Sequence, residues 1–358
     1  MGVNARQSKV GIAVATSGSW GTSSAVATAV GAGDGHYVRD DLNIQLKQTR
    51  VKDDTQAQGF IGSVQISKTE AIESAIPLFL HYMDLSLNPL WALAFGTGGT
   101  APTQLSTSTA YTNTFEPATN KTGLYATIVR DKVQMVSEVP GAKFTGFTLK
   151  SGENGRLEVD FQFIGDTEKS DSTINTATQI SALTFPTLGY RAFFSDLVFR
   201  VNAQAGGALA GSDALKITSI TVTFKQPLDM KIVGGQRVLI EPEENAMPEC
   251  TIDIVFARYD AASLAFFAAH RDGTRYKADI TITGPAIGAL ATTYGLLFQF
   301  PNLDVPDYKA PIPGNASQSA PTAKFDALST TAAPTGMTGV TKPLRLVTTG
   351  TSSANPFV

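Results

Sequence analysis

The residues best able to do chemistry in this sequence are few and far apart. It contains three histidines, His36, His81 and His270, and a single cysteine, Cys250. His81 has no histidine or cysteine four residues away, so the spacing of a zinc site is missing. Each histidine is therefore interpreted as a surface or helix-cap residue, and no metal centre is predicted.

Cys250 lies in a segment where apolar and polar residues alternate, between Glu249 and Thr251. A free cysteine in such a place usually behaves as a small buried hydrophobic residue. A thiol nucleophile would need a base to activate it, and the sequence places no histidine nearby. A single cysteine also excludes a disulfide within the chain.

Paired carboxylates and a glycine-rich segment complete the search for chemistry. Adjacent carboxylates occur at Asp40–Asp41, Asp53–Asp54 and Glu243–Glu244, in loop-like surroundings that are typical of solvated surface rather than of a glycosidase pair. Residues 31–35 resemble a phosphate-binding loop but lack its Lys-Ser/Thr ending. We therefore predict no catalytic residues, no cofactor and no metal, and a protein that is not an enzyme.

The composition limits the classes of partner that the protein is expected to bind. Of 358 residues, 42% are hydrophobic and only 16% charged, against about 25% charged in typical soluble domains. The net charge is -3 and no basic patch stands out, which disfavours direct binding of nucleic acid. The N-terminus has no apolar core of signal-peptide length, and the longest apolar stretch, residues 76–95, is interrupted by polar residues. We expect a product without targeting or membrane association.

The second half of the chain holds the clearest elements. Residues 217–224 and 250–256 alternate strictly between apolar and polar, which predicts half-buried strands. An acidic loop, residues 241–249, separates them. Asp260 then precedes a helical run over 261–269, and residues 276–283 alternate again. This order predicts an antiparallel sheet with a helix packed on it.

The first half shows the same order of elements. Residues 42–46 and 61–67 alternate, separated by a polar loop over 47–58. Residues 76–95 follow, with a spacing that predicts an amphipathic helix bent or split at Pro89 and ended by Gly96. The matching order suggests an internal duplication into two related halves.

A hairpin is the strongest local pattern. Residues 144–149 are predicted to pair with 157–163 across a turn at 151–155 that is rich in Gly and Asn. Glu158 and Asp160 would then lie opposite an apolar face. A preceding strand, 135–139, is expected to end at Pro140, and further strands are expected at 125–129, 197–201, 296–300, 303–305 and 324–328.

These elements predict a mainly β fold with short helices (α+β). The expected division is a first half over 1–165, a linker over 166–181, a second half over 182–328 and a C-terminal extension over 329–358. That extension is mostly Thr, Ala, Gly, Pro and Ser, so it is expected to be a free tail or an arm ordered by a neighbouring subunit.

The chain resembles the major tail proteins, or tail tube proteins, of long-tailed, non-contractile bacteriophages. The resemblance is one of pattern and extends to about residue 328. It rests on residues 11–22, 59–66, 78–96, 144–165, 217–224, 250–256, 276–283 and 311–328.

The resemblance implies an antiparallel β-sandwich or barrel whose subunits form rings, with the rings stacked into a hollow tube. Three chains would make a ring if both halves are tube domains, and six if only one is. Double-stranded DNA would pass through the tube without specific binding. The partners would be further copies of the chain and other tail proteins, and the protein would reside in the virion tail after synthesis in the host bacterial cytoplasm.

Within that picture, Glu158 and Asp160 are candidates for the lumen or a ring surface. Two charged loops are candidates for contact between rings, and their residues are Lys52, Asp53, Asp54, Asp229, Glu241, Glu243 and Glu244. Two alternatives stay open: a secreted or cell-surface carbohydrate-binding or adhesin module, and another phage tail part such as a terminator or baseplate protein.

Overall fold

The computed structural model describes residues 9–15, 20, 26–39, 42, 44, 46–47, 50–52, 64–66, 70–82, 87–96, 101–105, 109–119, 121, 123–133, 135–170, 172–185, 191–289, 291–311 and 320–354. Within these residues the chain forms eighteen strands and three short α-helices. The predicted mainly β fold with short helices is therefore confirmed.

Eleven strands precede residue 166: β1 (Lys9–Ala15), β2 (Gly35–His36), β3 (Leu46–Lys47), β4 (Arg50–Lys52), β5 (Val64–Ile66), β6 (Ala71–Phe79), β7 (Thr103–Gln104), β8 (Tyr111–Phe115), β9 (Tyr125–Asp131), β10 (Val136–Gly152) and β11 (Glu158–Gly165). Seven follow: β12 (Leu197–Ala203), β13 (Ile217–Lys225), β14 (Glu249–Phe256), β15 (Tyr276–Ala286), β16 (Thr293–Lys309), β17 (Thr322–Ala327) and β18 (Arg345–Gly350). The helices are α1 (Leu87–Phe95), α2 (Ala177–Ser181) and α3 (Ala261–Asp272).

A continuous antiparallel path of seven strands runs through the molecule in the order β6, β11, β10, β13, β14, β17 and β16; we call it the central path. The two longest strands, β10 and β16, also leave this path. The first part of β10 pairs with β9, which continues to β1 and β2. The first part of β16 pairs with β15 and β18, which continue to β12 and to β8 and β7.

The connectivity of the first part of the chain recurs in the second. Apart from β7 and β8, which lie between α1 and β9 and have no counterpart after α3, the series β6, α1, β9, β10, β11 and the series β14, α3, β15, β16, β17 have the same order. Their pairings also match, since β6 pairs with β11 as β14 pairs with β17, and β9 lies between β1 and β10 as β15 lies between β12 and β16. Both main helices end at a glycine in the left-handed region, Gly96 (φ 72°) and Gly273 (φ 68°).

Local sequence explains the elements that were predicted correctly. Strands β11, β13 and β14 alternate as expected, with one apolar face buried. Helix α3 begins where predicted, because the side chain of Asp260 accepts a hydrogen bond from the backbone N–H of Ser263 at 3.0 Å. The predicted hairpin of β10 and β11 is present, and Asn154 adopts φ 59° in its turn.

The helix predicted over residues 76–95 is wrong in its first part. Residues Ala71–Phe79 form strand β6, which pairs with β11 over eight residues, and α1 begins only at Leu87. Both faces of this stretch carry apolar residues, so its apolar spacing matched a helix as well as a strand. Pro89 lies within α1, two residues after its first described residue, Leu87.

Two further strand ends were predicted wrongly at prolines. β10 continues through Pro140, and the separate strands expected at 296–300 and 303–305 form one strand, β16, through Pro301. Each proline lies at a break in the strand register. Pro140 lies in β10 between Val139 and Ala142, and Pro301 lies in β16 opposite the break between Tyr276 and Ala278 of β15. A proline is tolerated in a sheet at such irregularities because no ladder hydrogen bond is required there.

Other strand predictions differ in extent. Of the strand expected at 42–46, Leu46 lies in β3 (Leu46–Lys47), and residues 43 and 45 lie outside the described ones. The strand expected at 61–67 is represented by β5, and residues 61–63 and 67 also lie outside the described ones.

The C-terminal extension also differs from expectation. Arg345–Gly350 forms β18, which lies between β16 and β8 of the same chain, with Leu346 opposite Phe298 on one side and Phe115 on the other. This segment is therefore neither a free tail nor an arm that needs a neighbouring subunit. The division of the chain at 165, 181 and 328 stays a prediction.

The core joins both parts of the chain. Trp91 of α1 is buried, and its ring centroid lies 4.9 Å from Phe147, 4.8 Å from Phe161 and 6.0 Å from Phe298. Phe95, one turn later, lies 5.3 Å from Phe224. Aromatic pairs at such distances add to the stabilisation from apolar burial. Helix α1 is thus held between strands of both series, and among the described helices none is long and apolar enough to cross a membrane.

The bulge of β10 predicts a sensitive position. Gly146 adopts φ 148°, and a Cβ added there would lie 2.0 Å from the carbonyl oxygen of Phe224 in β13. We expect Gly146→Ala to lower the free energy of unfolding by at least about 2 kcal/mol, because both the backbone angle and the β13 contact must change. Urea denaturation of the unassembled subunit measures this. The control is Gly152→Ala in the same strand, where an added Cβ meets nothing within 4 Å; equal midpoints for the two variants would contradict the expectation.

Candidate assembly surfaces

The register of the central path arranges its solvent-facing side chains in rows across the strands. One row contains Asp160, Thr148, Thr223, Thr251, Asp326 and Asp304. The next contains Glu158, Lys150, Thr221, Asp253, Lys324 and Asp307. We call these twelve residues the ladder surface. None of them is buried, whereas the residues that alternate with them belong to the core.

The ladder surface is acidic and rich in hydroxyls. It holds six carboxylates and two lysines, a formal charge of -4, together with four threonines. The pKa of Asp326 is raised by burial, with Lys324 opposing and the charges of Asp304, Asp253 and Glu249 adding to the rise. Crowded carboxylates of this kind give the surface a negative field.

Glu158 and Asp160 lie on the ladder surface, on the side of β11 opposite the buried face, as predicted from alternation. They are not isolated charges. Arg39 contacts Glu158 and lies 3.1 Å from a carboxylate oxygen of Asp160. Lys150 Nζ lies 3.2 Å from Asp160 and 3.7 Å from Glu158. This end of the surface is therefore neutralised by its own cations.

A group of arginines borders that end. The guanidinium carbons of Arg39, Arg156 and Arg191 lie 6.0, 5.2 and 5.4 Å from the ring centroid of Phe79. Such distances permit cation–π attraction. Burial lowers the pKa of nearby His81, and the charges of Arg191 and Arg156 lower it further.

The loop between β13 and β14 contains four of the residues predicted to contact another ring. Glu241 Oε1 accepts hydrogen bonds from Lys143 Nζ at 2.7 Å and from the backbone N–H of Gly123 at 2.9 Å. Glu244 accepts from Gln226 Nε2 at 2.5 Å. These two carboxylates therefore anchor the loop to its own subunit.

The other loop candidates lie differently. Glu243 is exposed, and Asp229 pairs with Lys231 at 2.6 Å. Lys52 lies in β4, while Asp53 and Asp54 lie outside the described residues. The role of both loops in ring contact stays a prediction.

A buried lysine lies beneath the acidic loop, and no sequence pattern indicated it. Lys121 Nζ donates to the carbonyl oxygens of Ala94, at the end of α1, and Phe144, at 2.5 and 3.2 Å. Burial lowers its pKa to about 7, with Glu244 opposing and Lys143 adding to the shift. Lys121 lines a cleft of about 210 Å³ whose other walls include Thr119, Pro242 and Glu244.

The cysteine and the histidines lie in surroundings that fit roles in packing. Burial raises the pKa of the Cys250 thiol, in keeping with its interpretation as a small hydrophobic residue. His36 and His81 are buried, so their interpretation as surface or cap residues is wrong. Burial lowers the pKa of His36 to about 4. His270, in the last turn of α3, lies 2.9 Å from the carbonyl oxygen of Val305 through Nδ1. Within the described ranges, no group of three His, Cys, Asp or Glu residues could hold a metal ion.

Helix α3 presents an apolar face to solvent. Leu264 is 45% exposed and Phe267 is 48% exposed, and the ring of Phe267 lies 6.0 Å from Tyr308 at the end of β16. The turn between β9 and β10 also exposes Val133 and Met135. Neighbouring exposed apolar residues of this kind are typical of surfaces that meet other protein.

The comparison with known families covers nearly the whole chain. A family model described as phage tail tube protein matches residues 5–345. No curated protein matches the chain. The matched span includes the whole central path and both main helices.

Lys121 predicts a pH dependence of stability. Its pKa in the folded chain, about 7, is below the ordinary 10.5, so between these values the unfolded chain binds more protons and the free energy of unfolding rises with pH. The full rise is on the order of 5 kcal/mol. We expect Lys121→Met to remove it in urea denaturation between pH 7 and 10.5, and Lys132→Met, at an exposed position, to retain it. An unchanged slope in Lys121→Met would contradict this assignment.

Proposed function

The chain belongs to the phage tail tube protein family, and we propose that three copies of it form each ring of the tube. The family makes the protein a structural component of the virion that polymerises into the phage tail tube. It also selects the tube over the adhesin, terminator and baseplate alternatives, none of which any feature favours.

The single observation that supports three chains is the repeated connectivity. The series β6, α1, β9, β10, β11 and β14, α3, β15, β16, β17 share their order, their pairings and the position of a proline in the long strand. Two related units in one chain give six units in a ring of three, arranged with pseudo-sixfold symmetry. The strands of both units already form one sheet through the pairing of β10 with β13.

The ladder surface is proposed to line the lumen, with Glu158 and Asp160 among its residues. Double-stranded DNA is a dense polyanion, and a basic wall would bind it strongly. The six carboxylates, two lysines and four threonines of this surface would instead let DNA pass without specific binding. The short threonine side chains also leave the middle of the surface smooth.

The remaining roles belong to the same proposal. The tube conducts double-stranded DNA from the capsid into the host and contacts other tail proteins at its ends. Glu243, Asp229 and the 47–58 loop are proposed to meet the neighbouring ring. The subunit is made in the host bacterial cytoplasm, and its role is structural rather than catalytic.

Ring symmetry is tested by electron microscopy of the concentrated protein, with a tail tip complex added as initiator. We expect hollow tubes of stacked rings whose averages show threefold symmetry, with six similar but unequal densities around the lumen. Six identical chains in a ring would contradict the proposal of three. Failure to form tubes, or to add to the tail tip, would contradict the tube itself.

The lumen assignment is tested by chemical access to Thr223, at the centre of the ladder surface. We expect Thr223→Cys, in a Cys250→Ala background, to react quickly with a maleimide on a long polyethylene glycol chain before assembly and slowly within tubes. Iodoacetamide, which is small enough to enter the tube, serves as the control and should label both forms. Equal labelling of both forms by the bulky reagent would place this surface on the outside.

A further inference from the structure

The pairing of β10 with β13 joins the unit that contains β6 to β11 with the unit that contains β12 to β17, and we call this pairing the joint. We propose that the joint is repeated between chains. The free edge of β16 would pair with β3 of the next copy, with Asp307 opposite Lys47 and Tyr308 opposite Leu46, and that copy would cover the apolar face of α3. This inference rests on the proposed ring and identifies the surfaces that close it.

The joint within the chain supplies the template. There the end of β10 pairs with the end of β13, with Gly146 opposite Lys225 and Phe147 opposite Phe224. One further hydrogen bond, from the backbone N–H of Gln226 to the carbonyl oxygen of Thr145 at 2.7 Å, ends this ladder.

The bulges identify the counterpart of β10 within β16. In each long strand, one residue more than in its partner lies between two paired positions, just before Gly146 in β10 and just before Asp307 in β16. After the bulge, Gly146 faces Gln162 of β11 and Asp307 faces Lys324 of β17. Asp307 therefore corresponds to Gly146, and Tyr308 corresponds to Phe147.

The register also identifies the counterpart of β13. Three residues beyond Gln162 and Lys324 lie Gly165 and Ala327, which face Ile72 of β6 and Cys250 of β14. Ile72 in turn faces Leu46 of β3, and Cys250 faces Phe224 of β13. Leu46 thus corresponds to Phe224, and the next residues, Lys47 and Lys225, correspond as well.

The two edges have opposite charge and suitable side chains. Applying the template, Asp307 faces Lys47 and Tyr308 faces Leu46. Asp307 is half-exposed and Lys47 is exposed. Among the described residues, each forms an ion pair with a neighbour on its own surface, Asp307 with Lys309 at 2.8 Å and Lys47 with Glu73 at 2.6 Å. In the described residues, β3 pairs with β6 alone, and β16 beyond Asp304 pairs with β17 alone. Unpaired edges of this kind are open to another strand.

The two main helices show the same relation. Aligned on Gly96 and Gly273, Leu87 and Leu90 of α1 correspond to Leu264 and Phe267 of α3. Leu87 and Leu90 are 3% and 0% exposed, whereas their counterparts are nearly half exposed. Helix α3 therefore lacks a cover that α1 has.

Part of the cover of α1 comes from β8, where Phe115 lies 6.4 Å from Phe95, and part comes from the other unit. Trp91 packs on Phe298 of β16, and Asn88 accepts a hydrogen bond from Thr348 of β18 at 3.1 Å. Leu296 of β16 lines the same cleft as Leu87. The alignment of the two long strands places Met135 of the next copy, which is exposed, at the position of Leu296. Met135 and its turn would therefore pack on Leu264 and Phe267.

The backbone pairing between chains is short. Farther back from β3, the carbonyl oxygens of Leu42 and Ile44 accept hydrogen bonds from Arg130, at 2.9 and 3.4 Å. The strand contact therefore sets the register, while the helix face contributes most of the buried apolar surface.

Disulfide trapping tests the register. The full chain carries Leu46→Cys and Tyr308→Cys in a Cys250→Ala background, because directly opposed residues have the Cα separation that a disulfide needs. After oxidation, tubes dissolved in non-reducing detergent should give covalent dimers and trimers, with no larger species. The matched control, Lys47→Cys with Tyr308→Cys, should not cross-link, because these side chains point to opposite faces.

The outcomes separate this inference from the proposed function. Tubes without cross-links, or with equal cross-links in the control, would overturn the pairing and leave the tube intact. Cross-linked species up to six chains would support the pairing and overturn the ring of three. Absence of tubes from the unmodified protein would instead overturn the proposed function.

If the cysteine variant fails to assemble, reversal of the charges at positions 307 and 47 tests the pairing instead. We expect Asp307→Lys to reduce tube formation severalfold, and Asp307→Lys with Lys47→Asp to restore it. An equal loss in the single and the double variant would overturn the pairing.

Discussion

The need to pair every strand edge governs this structure. Strands β10 and β13 exchange backbone hydrogen bonds over residues 146–152 and 219–225, and so join two sets of strands into one sheet. Without that ladder, each set would end in an exposed row of N–H and C=O groups. The close approach requires Gly146, whose missing Cβ leaves room for the Phe224 carbonyl. The rest of the core is arranged around this contact, with Trp91 and Phe95 of α1 filling the space beside it.

The same constraint explains why two equivalent helices differ. Helix α1 is almost wholly buried because β8, β16 and β18 lie against it. Helix α3 is half exposed because, in the described part of the chain, no strands cover Leu264 and Phe267 in the same way. The buried polar groups near the joint of β10 and β13 have hydrogen-bond or ion-pair partners. Lys121 donates hydrogen bonds to carbonyl oxygens of α1 and β10, and the Lys143–Glu241 pair holds the acidic loop beside it. Burying these charges is tolerable only because each has close partners.

Much of the fold could be predicted from local pattern. Alternation identified β11, β13 and β14, and the Asp260 cap located α3. It failed for β6, where apolar residues on both faces of the strand also fit the spacing of a helix. It also failed at Pro140 and Pro301, since a proline ends a strand only where a ladder bond is needed. Strand β18 was missed because its partners, Phe298 and Phe115, are distant in sequence. Of the candidate site, Glu158 and Asp160 were assigned to the correct face, but Arg39 and Lys121 carry no local signal of their tertiary contacts.

The covalent link between the two units has a kinetic consequence. A ring of six separate units requires five encounters in solution, and its formation depends steeply on concentration. Because β10 and β13 belong to one chain, half of the joints in the proposed ring of three would form during folding, at the high effective concentration of a tethered pair. Nucleation of a ring then scales with a lower power of subunit concentration. A subunit of this kind would assemble at lower abundance, and it would leave fewer ways for a ring to remain incomplete with a unit missing.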